Sequence, residues 1–356
     1  MEKYHCKLSP GYCSYQYHWS PQSIYPFTGV FDGNNHTISN FSFVPTTGGA
    51  GLFGNVDGGV VKNLGLIDPN VDADCWLGTL AGSIEGGATI SNCYVEGGSV
   101  SGRFNIGGLV GEIDTPGGGT VSNCYATCNV TGSSMCIGGL VGRIESGSGG
   151  TVTKCYARGS VTLITNPSAS GGVGGLLGTN YGGTITESYA TGSVEGASNG
   201  YGRVGGLVGS NYSGSSIANC YATGSVSGTF EIGGLAGGNF GQITNSYSTG
   251  TVSGTSDVGG LVGNDTVGGD TGTATDSFWD KETSGKTTSA GGTGKTTAEM
   301  KKEGTCTNWD FVEIWNIGEE QTYPFLRVYP AGDIDHSDSV DWDDLASMAN
   351  NWLEGI

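Results

Sequence analysis

Three short apolar segments recur along the chain in a fixed order, separated by runs of Gly, Ser, Thr and Asn. The first is an imperfect Gly-Gly-Leu-x-Gly centred on Leu52, Leu80, Leu109, Leu140, Leu176, Leu207, Leu235 and Leu261, spaced 26 to 36 residues apart. The second is led by Val61, Ile90, Val121, Val152, Ile185, Ile217 and Ile243, as in VSNCYATCNV and IANCYATGSV. The third is a lone valine: Val100, Val130, Val161, Val194, Val226 and Val252. Each segment alternates apolar and polar positions, which is the signal of a strand. Three strands per repeat of about 30 residues predict an all-β fold, a parallel β-solenoid of about eight rungs, with strands stacked ~4.8 Å apart. Most solenoids with rungs of this length are right-handed β-helices, so that hand is expected. Equivalent residues then form ladders along the axis. Leu, Ile and Val fill the core, and Cys93, Cys124, Cys155, Ser188, Cys220, Ser246 and Ser277 form a ladder of small buried residues.

Composition narrows the function classes. Glycine contributes 69 of 356 residues, but without the G-X-Y period of collagen. The regular return of apolar residues argues against disorder. A net charge of -19 and the lack of a basic patch exclude a nucleic-acid binder and disfavour docking to anionic membranes. There is no run of 18 apolar residues, so no transmembrane helix or membrane insertion is expected. The first residues, MEKYHCKLSP, lack the apolar core of a signal peptide. A leader has been removed, or the chain is part of a longer one. Of the 10 cysteines, Cys6 with Cys13 and Cys128 with Cys136 are close enough to close small loops, and no CxxC suggests zinc. The four histidines (5, 18, 36 and 336) lie outside the repeats, so a Cys–His nucleophile has no support.

The run GGLVGSNYSGSSIANCYATGSVSG resembles the GLUG repeat of secreted bacterial adhesins and other surface proteins. FTGVFDGNNHTISNFSF is similar to the first rung usual in such proteins, and the stretch from SFWDKETSGK through YPFLR resembles their C-terminal closure. The resemblance covers roughly residues 26 to 327. It implies the solenoid and an extracellular or cell-surface setting, and it is loose about activity. The organisation it suggests is an N-terminal cap or truncated opening at 1–24, a solenoid at 25–280, a C-terminal cap at 281–330 and a tail at 331–356. The C-terminal cap should hold a short helix at 297–303 and the aromatics Trp309, Phe311, Trp315, Tyr323 and Phe325. Trp19, Tyr25 and Phe27 are the counterpart at the other end. The run GGTGKTT fails the spacing of a phosphate loop, and no apolar strand precedes it.

The tail GDIDHSDSVDWDDLASMANNWL resembles one half of a dockerin, an EF-hand-like loop and helix. Calcium loops place oxygens at alternate positions and a carboxylate at the twelfth. Those positions fall on Asp333, Asp335, Ser337, Ser339, Asp341 and Asp344, with a helix at about 342–353. Asp338 stands where a turn glycine is usual. The resemblance implies calcium as a cofactor and a cohesin-like scaffold protein as a partner. An acidic linker with a short amphipathic helix is the other reading.

The most informative local pattern lies just after the first segment. The third residue beyond its closing glycine is Asp57, Glu85, Asp114 and Glu145 in four successive rungs, then Tyr181, Tyr212 and Phe240 in the next three. The residue before each is Val56, Ile84, Ile113 and Ile144, then Asn180, Asn211 and Asn239, and asparagine is usual there in GLUG repeats. If the apolar residues point inward, alternation turns the acids outward, ~5 Å apart on adjacent rungs and ~10 Å on alternate ones. Like charges at that spacing repel by ~1 kcal/mol even in water. Three readings follow. The ladder is a by-product of repeat duplication, it binds a cation, or two of the four acids catalyse glycoside hydrolysis at the separations that reaction uses. The three rings would then be a sugar platform on the same face. The two function classes are thus an adhesion or carbohydrate-binding solenoid for a polysaccharide or cell-surface glycan, and a secreted polysaccharide hydrolase or, less favoured, lyase.

Overall fold

The computed structural model describes residues 26–43, 50–164, 171–198 and 202–327. They wind into a parallel β-solenoid with three sheets running along its axis. An eight-stranded sheet carries the first segment of every rung, from Phe53–Asp57 to Val262–Asn264. The second sheet carries the Ile/Val-led segments, and the third carries the lone valines together with the strand leading into the next Gly-Gly-Leu. Register is uniform. Val61, Ile90, Val121, Val152, Ile185, Ile217 and Ile243 pair in one column, and Val71, Val100, Val130, Val161, Val194, Val226 and Val252 in another. All of them, with the leucines from Leu80 to Leu261, are buried in one continuous core.

The glycines of the repeat are forced by close backbone packing. A Cβ on Gly139 would stand 2.1 Å from the Gly175 carbonyl oxygen, and one on Gly138 would stand 2.0 Å from the Val141 oxygen. A Cβ on Gly142 would meet the backbone of Asn105 and Ile106, on the third sheet of the rung before, at 2.7 Å. Rungs are thus locked to each other, and two sheets to each other, where only glycine fits.

The small-residue ladder is a hydrogen-bond ladder. Each rung turns a corner at a residue with positive φ: Asn92, Asn123, Lys154, Glu187, Asn219, Asn245 and Asp276. The next side chain donates to the carbonyl two residues back, as Cys155 Sγ does to Thr153 O (3.1 Å) and Ser188 Oγ to Thr186 O (2.7 Å). It also accepts an N–H from the preceding rung, as Ser188 Oγ does from Cys155 N (3.1 Å). Thiol and hydroxyl both serve, which is why Cys and Ser interchange. Burial pushes the Cys93 and Cys220 thiols up to about 12, far from thiolate chemistry. The loop closure expected between Cys128 and Cys136 does not form. Both are free and buried, Cys128 within the core and Cys136 at a positive-φ corner of the third sheet. Cys6 and Cys13 lie outside the described residues, as do Trp19 and Tyr25.

The second sheet carries a stack of tyrosines, Tyr94, Tyr125, Tyr156, Tyr189, Tyr221 and Tyr247, with centroids 4.7–5.1 Å apart and planes within 9° of parallel. The C-terminal cap closes on its far end. Met300, Cys306, Trp309 and Trp315 pack with Tyr247 and Phe278, and Trp315 Nε1 donates to Asn219 Oδ1 at 3.2 Å, reaching back along the flank. The expected helix is shorter, Thr297–Met300 with a Thr296/Glu299 capping box, followed by a 3-10 turn at Glu303–Thr305. Phe325 is 41% exposed and stays out of the cluster. Within GGTGKTT, Thr293–Lys295 is a strand paired in parallel with Phe278–Asp280, so that run extends the sheet.

The ladder predicts a specific pair of outcomes in urea denaturation followed by circular dichroism. Cys155→Ser should stay within ~1 kcal/mol of the parent, because serine makes the same bonds one rung later. Ser188→Ala should cost ~1–3 kcal/mol, because the Cys155 N–H is then buried without an acceptor.

Candidate functional site: the carboxylate face

The acids fall on one column of the eight-stranded sheet. Asp57 pairs with Glu85, and the N–H groups of Asp114, Glu145, Tyr181, Tyr212 and Phe240 each donate to the preceding rung at 2.7–3.1 Å. The column before them, Val56, Ile84, Ile113, Ile144, Asn180, Asn211 and Asn239, points inward and is buried. Where it is asparagine, the amides hydrogen-bond along the axis, Asn180 Nδ2 to Asn211 Oδ1 at 3.1 Å and Asn211 Nδ2 to Asn239 Oδ1 at 2.8 Å.

The outward acids are not freely solvated. Glu85 is 6% exposed and Asp114 3%, while Asp57 and Glu145 are half-buried. The third-sheet corner lies close by: a Cβ on Gly82 or Gly111 would meet the Trp76 backbone at 2.8 Å. Burial raises the Glu85 carboxyl, helped by Asp114 and Asp57 and opposed by a 2.6 Å hydrogen bond from Asn55 Nδ2.

A second column on the same face was not singled out in the sequence: Asn55, Ser83, Glu112, Arg143, Thr179 and Ser210, two residues before the first. Its members share the alternation phase of the acids, so the signal was present in GEID and GRIE. Glu112 is 3% exposed, and burial pushes its carboxyl up to about 8, with Asp114 and Glu145 adding to the shift. Arg143 lies 3.7 Å from Glu112, an ion pair without a hydrogen bond that only partly offsets burial. Arg143 is also paired with Glu145, and Asn105, at a positive-φ corner, hydrogen-bonds Glu112. The face thus holds a protonatable carboxyl, Glu112, close to Asp114 and Glu145.

The three rings continue the column, but their faces are taken. Tyr181 stacks on Tyr212 at 4.2 Å, and the Arg143 guanidinium lies 5.3 Å from the Tyr181 centroid. Arg203 lies over Tyr212 and Phe240, donates to Tyr212 Oη at 2.8 Å and pairs with Glu231. Phe240 is 3% exposed. An open groove of about 420 Å³ lies elsewhere, on the third sheet, lined by Asp72, Asp74, Ser101, Arg103, Thr131 and Ile164. Among the described residues, no group of three or more His, Cys, Asp and Glu lies close enough to hold a metal. The calcium-loop residues Asp333, Asp335, Ser337, Ser339, Asp341 and Asp344 lie outside the described residues. No described helix is long and apolar enough to cross a membrane.

Four segments, 133–162, 169–195, 200–227 and 228–253, match the family described as the GLUG motif. Those four segments carry GLUG repeats, and they lie within the β-solenoid described above. It is 35% identical over 139 residues to a protein of Evansella cellulosilytica provisionally named a Gly-rich membrane protein, covering 35% of this chain and 16% of that one. It is 40% identical over 90 residues to halomucin of Haloquadratum walsbyi, covering 24% of this chain and 1% of that one. The chain therefore spans a small part of the length of these relatives. A crystal structure of a protein provisionally described as an immunoglobulin A1 protease, from Bacteroides ovatus, superposes with a TM-score of 0.50 at 22% identity, covering 83% of this chain and 76% of that one. That likeness shows the fold.

Glu112 gives a pH prediction with a definite sign. Its folded-state value of about 8 lies above the ordinary 4.5, so between them the folded chain holds a proton that the unfolded chain has lost. This stabilising term is full below the lower value and disappears as pH rises through the upper one. The melting temperature of the parent should therefore fall more steeply across that window than that of Glu112→Gln; equal slopes would remove Glu112 from the account.

Proposed function

We propose that the chain is an extracellular, surface-associated binding or adhesion solenoid whose outer faces engage a polysaccharide or cell-surface glycan. The observation that supports the ligand class is the periodicity of its outward hydrogen-bonding groups. On the second sheet, Thr89, Thr120, Thr151, Thr184 and Ser216 share one column, and Ser91, Ser122, Thr153 and Thr186 share the next. All are half-buried or exposed. They repeat every ~4.8 Å along the axis and ~6.7 Å across it. The stacked tyrosines beside them add a column of ring edges. A polymer that repeats its own hydroxyls meets the same small donors and acceptors on every rung. Individually weak bonds then add without a deep pocket. The names of the two relatives, a Gly-rich membrane protein and halomucin, agree with a surface setting. The dockerin-like tail would supply attachment, through calcium, to a cohesin-like scaffold.

Co-sedimentation with a panel of insoluble plant and microbial polysaccharides tests this. Binding to at least one is expected, and the triple variant Thr120→Val, Thr151→Val, Thr184→Val should weaken it by roughly tenfold, or ~1.4 kcal/mol, at unchanged melting temperature. Unchanged binding would remove the hydroxyl columns from the reading.

A second reading is favoured by one feature, the raised Glu112 carboxyl beside Asp114 and Glu145. Glycoside hydrolases pair a protonated acid with an ionised carboxylate. On this reading Glu112 is the acid, and Asp114, Glu145, Glu85 or Asp57 supplies the carboxylate. Reducing-sugar release by the native chain, lost in folded Glu112→Gln and Asp114→Asn, would establish it. No release from any substrate in the panel leaves the binding reading.

A further inference from the structure

We infer that the first two rungs of the carboxylate face form a calcium-type cation site, with oxygen ligands from Asn55, Asp57, Ser83 and Glu85. The argument begins with two orphaned oxygens. Asn55 is 3% exposed and Ser83 1%, and neither Asn55 Oδ1 nor Ser83 Oγ has a hydrogen-bond partner. Buried polar atoms are nearly always satisfied, so two together on one patch call for a partner. They are register neighbours on adjacent strands, and each stands two residues before an acid of the same strand, Asp57 and Glu85, which are themselves register neighbours. Alternation puts all four side chains on the same side of the sheet.

Local contacts tie the two rungs together. The Asn55 amide nitrogen donates to Glu85 Oε1 at 2.6 Å, which leaves Oδ1 as the free end of that amide. The Asp57 carboxylate lies against the next rung, where Gly86 has positive φ and a Cβ would stand 2.0 Å from Asp57 Oδ1. Arg143 sits two rungs beyond Glu85 and is engaged with Glu112 and Glu145.

The donor set names the ligand. Two carboxylates, an amide oxygen and a hydroxyl, with no imidazole or thiolate, suit a hard cation. Calcium accepts irregular oxygen geometry and completes its shell with water, whereas magnesium demands a near-ideal octahedron. With two carboxylates, the affinity belongs in the range of extracellular modules, ~0.1–1 mM. A bound cation would satisfy both orphaned oxygens and cancel the repulsion between Asp57 and Glu85.

The experiment uses the full chain carrying Asp333→Asn and Asp335→Asn, so that the C-terminal loop cannot supply the signal. Calcium chloride is titrated by calorimetry, and thermal melting is compared in calcium and in EDTA. Binding of about one calcium per chain and a calcium-dependent rise in melting temperature are expected. Asp57→Asn and Ser83→Ala should each weaken binding by roughly tenfold or more while leaving the melt in EDTA unchanged or slightly higher. Ser83→Ala removes one neutral oxygen and serves where the charge change disturbs folding. Absence of calcium binding in the loop-disabled chain, or binding that these substitutions leave unchanged, would overturn the site.

Discussion

The structure depends on the crossing of two backbone layers where no side chain fits. At each Gly-Gly-Leu-x-Gly turn the chain leaves the third sheet and enters the first, and the glycines let consecutive rungs and neighbouring sheets approach to backbone contact. A single Cβ there meets a carbonyl at about 2 Å. Register follows from this: with the crossings pinned, a strand cannot slip by one residue without turning its whole apolar set outward. The uniform columns of Leu, Ile and Val are the consequence. So are the Cys/Ser ladder at the second corner and the tyrosine stack beyond it.

The same close approach makes the outer side of the first sheet unusual for an outward face. Glu85, Glu112 and Asp114 are buried there, so charge is placed in a poorly solvated strip. The chain answers rung by rung: Asn55 donates to Glu85, Asp114 takes its neighbour's N–H from Thr115, Glu112 is lifted towards its neutral form, and Arg143 is held by Glu112 and Glu145. Further along, Arg203, Glu231 and the rings of Tyr212 and Phe240 occupy the same strip.

Periodicity made the fold legible. The three segments, the inward columns and the small-residue ladder all follow from spacing, and the structure places them so. The position of the acids was legible for the same reason, as was their alternation with Val56, Ile84, Ile113 and Ile144. Their burial was not, because it comes from a second layer whose approach is set by glycine contacts that no single-strand pattern encodes. Glu112 and Arg143 were not legible because their column changes identity at every rung and so leaves no repeated residue type. Cys128 and Cys136 looked like a pair by separation along the chain, but burial on different parts of the wall decided otherwise. Tyr181 and Tyr212 could be placed on one face, yet sequence does not say that rings at one-rung spacing stack on each other and close their own faces.

That changing column bears on whether the acids are copies of one harmless surface residue. Duplication alone would reproduce the surroundings along with the acid. Instead Asp57, Glu85, Asp114 and Glu145 stand two residues after Asn55, Ser83, Glu112 and Arg143, four different chemistries at one repeat position, in rungs whose core columns stay apolar. Core columns are constrained by packing and glycine crossings by sterics, so variation there is expensive. The outer pair of columns lies outside the apolar core and carries none of the crossing glycines, and its first position changes at every rung from Asn55 to Arg143. Charge was also gathered there at the cost of burial and like-charge repulsion. A position that changes chemistry at every rung beside a costly run of acids is not what duplication of one harmless residue produces, so repeat history alone does not account for this face.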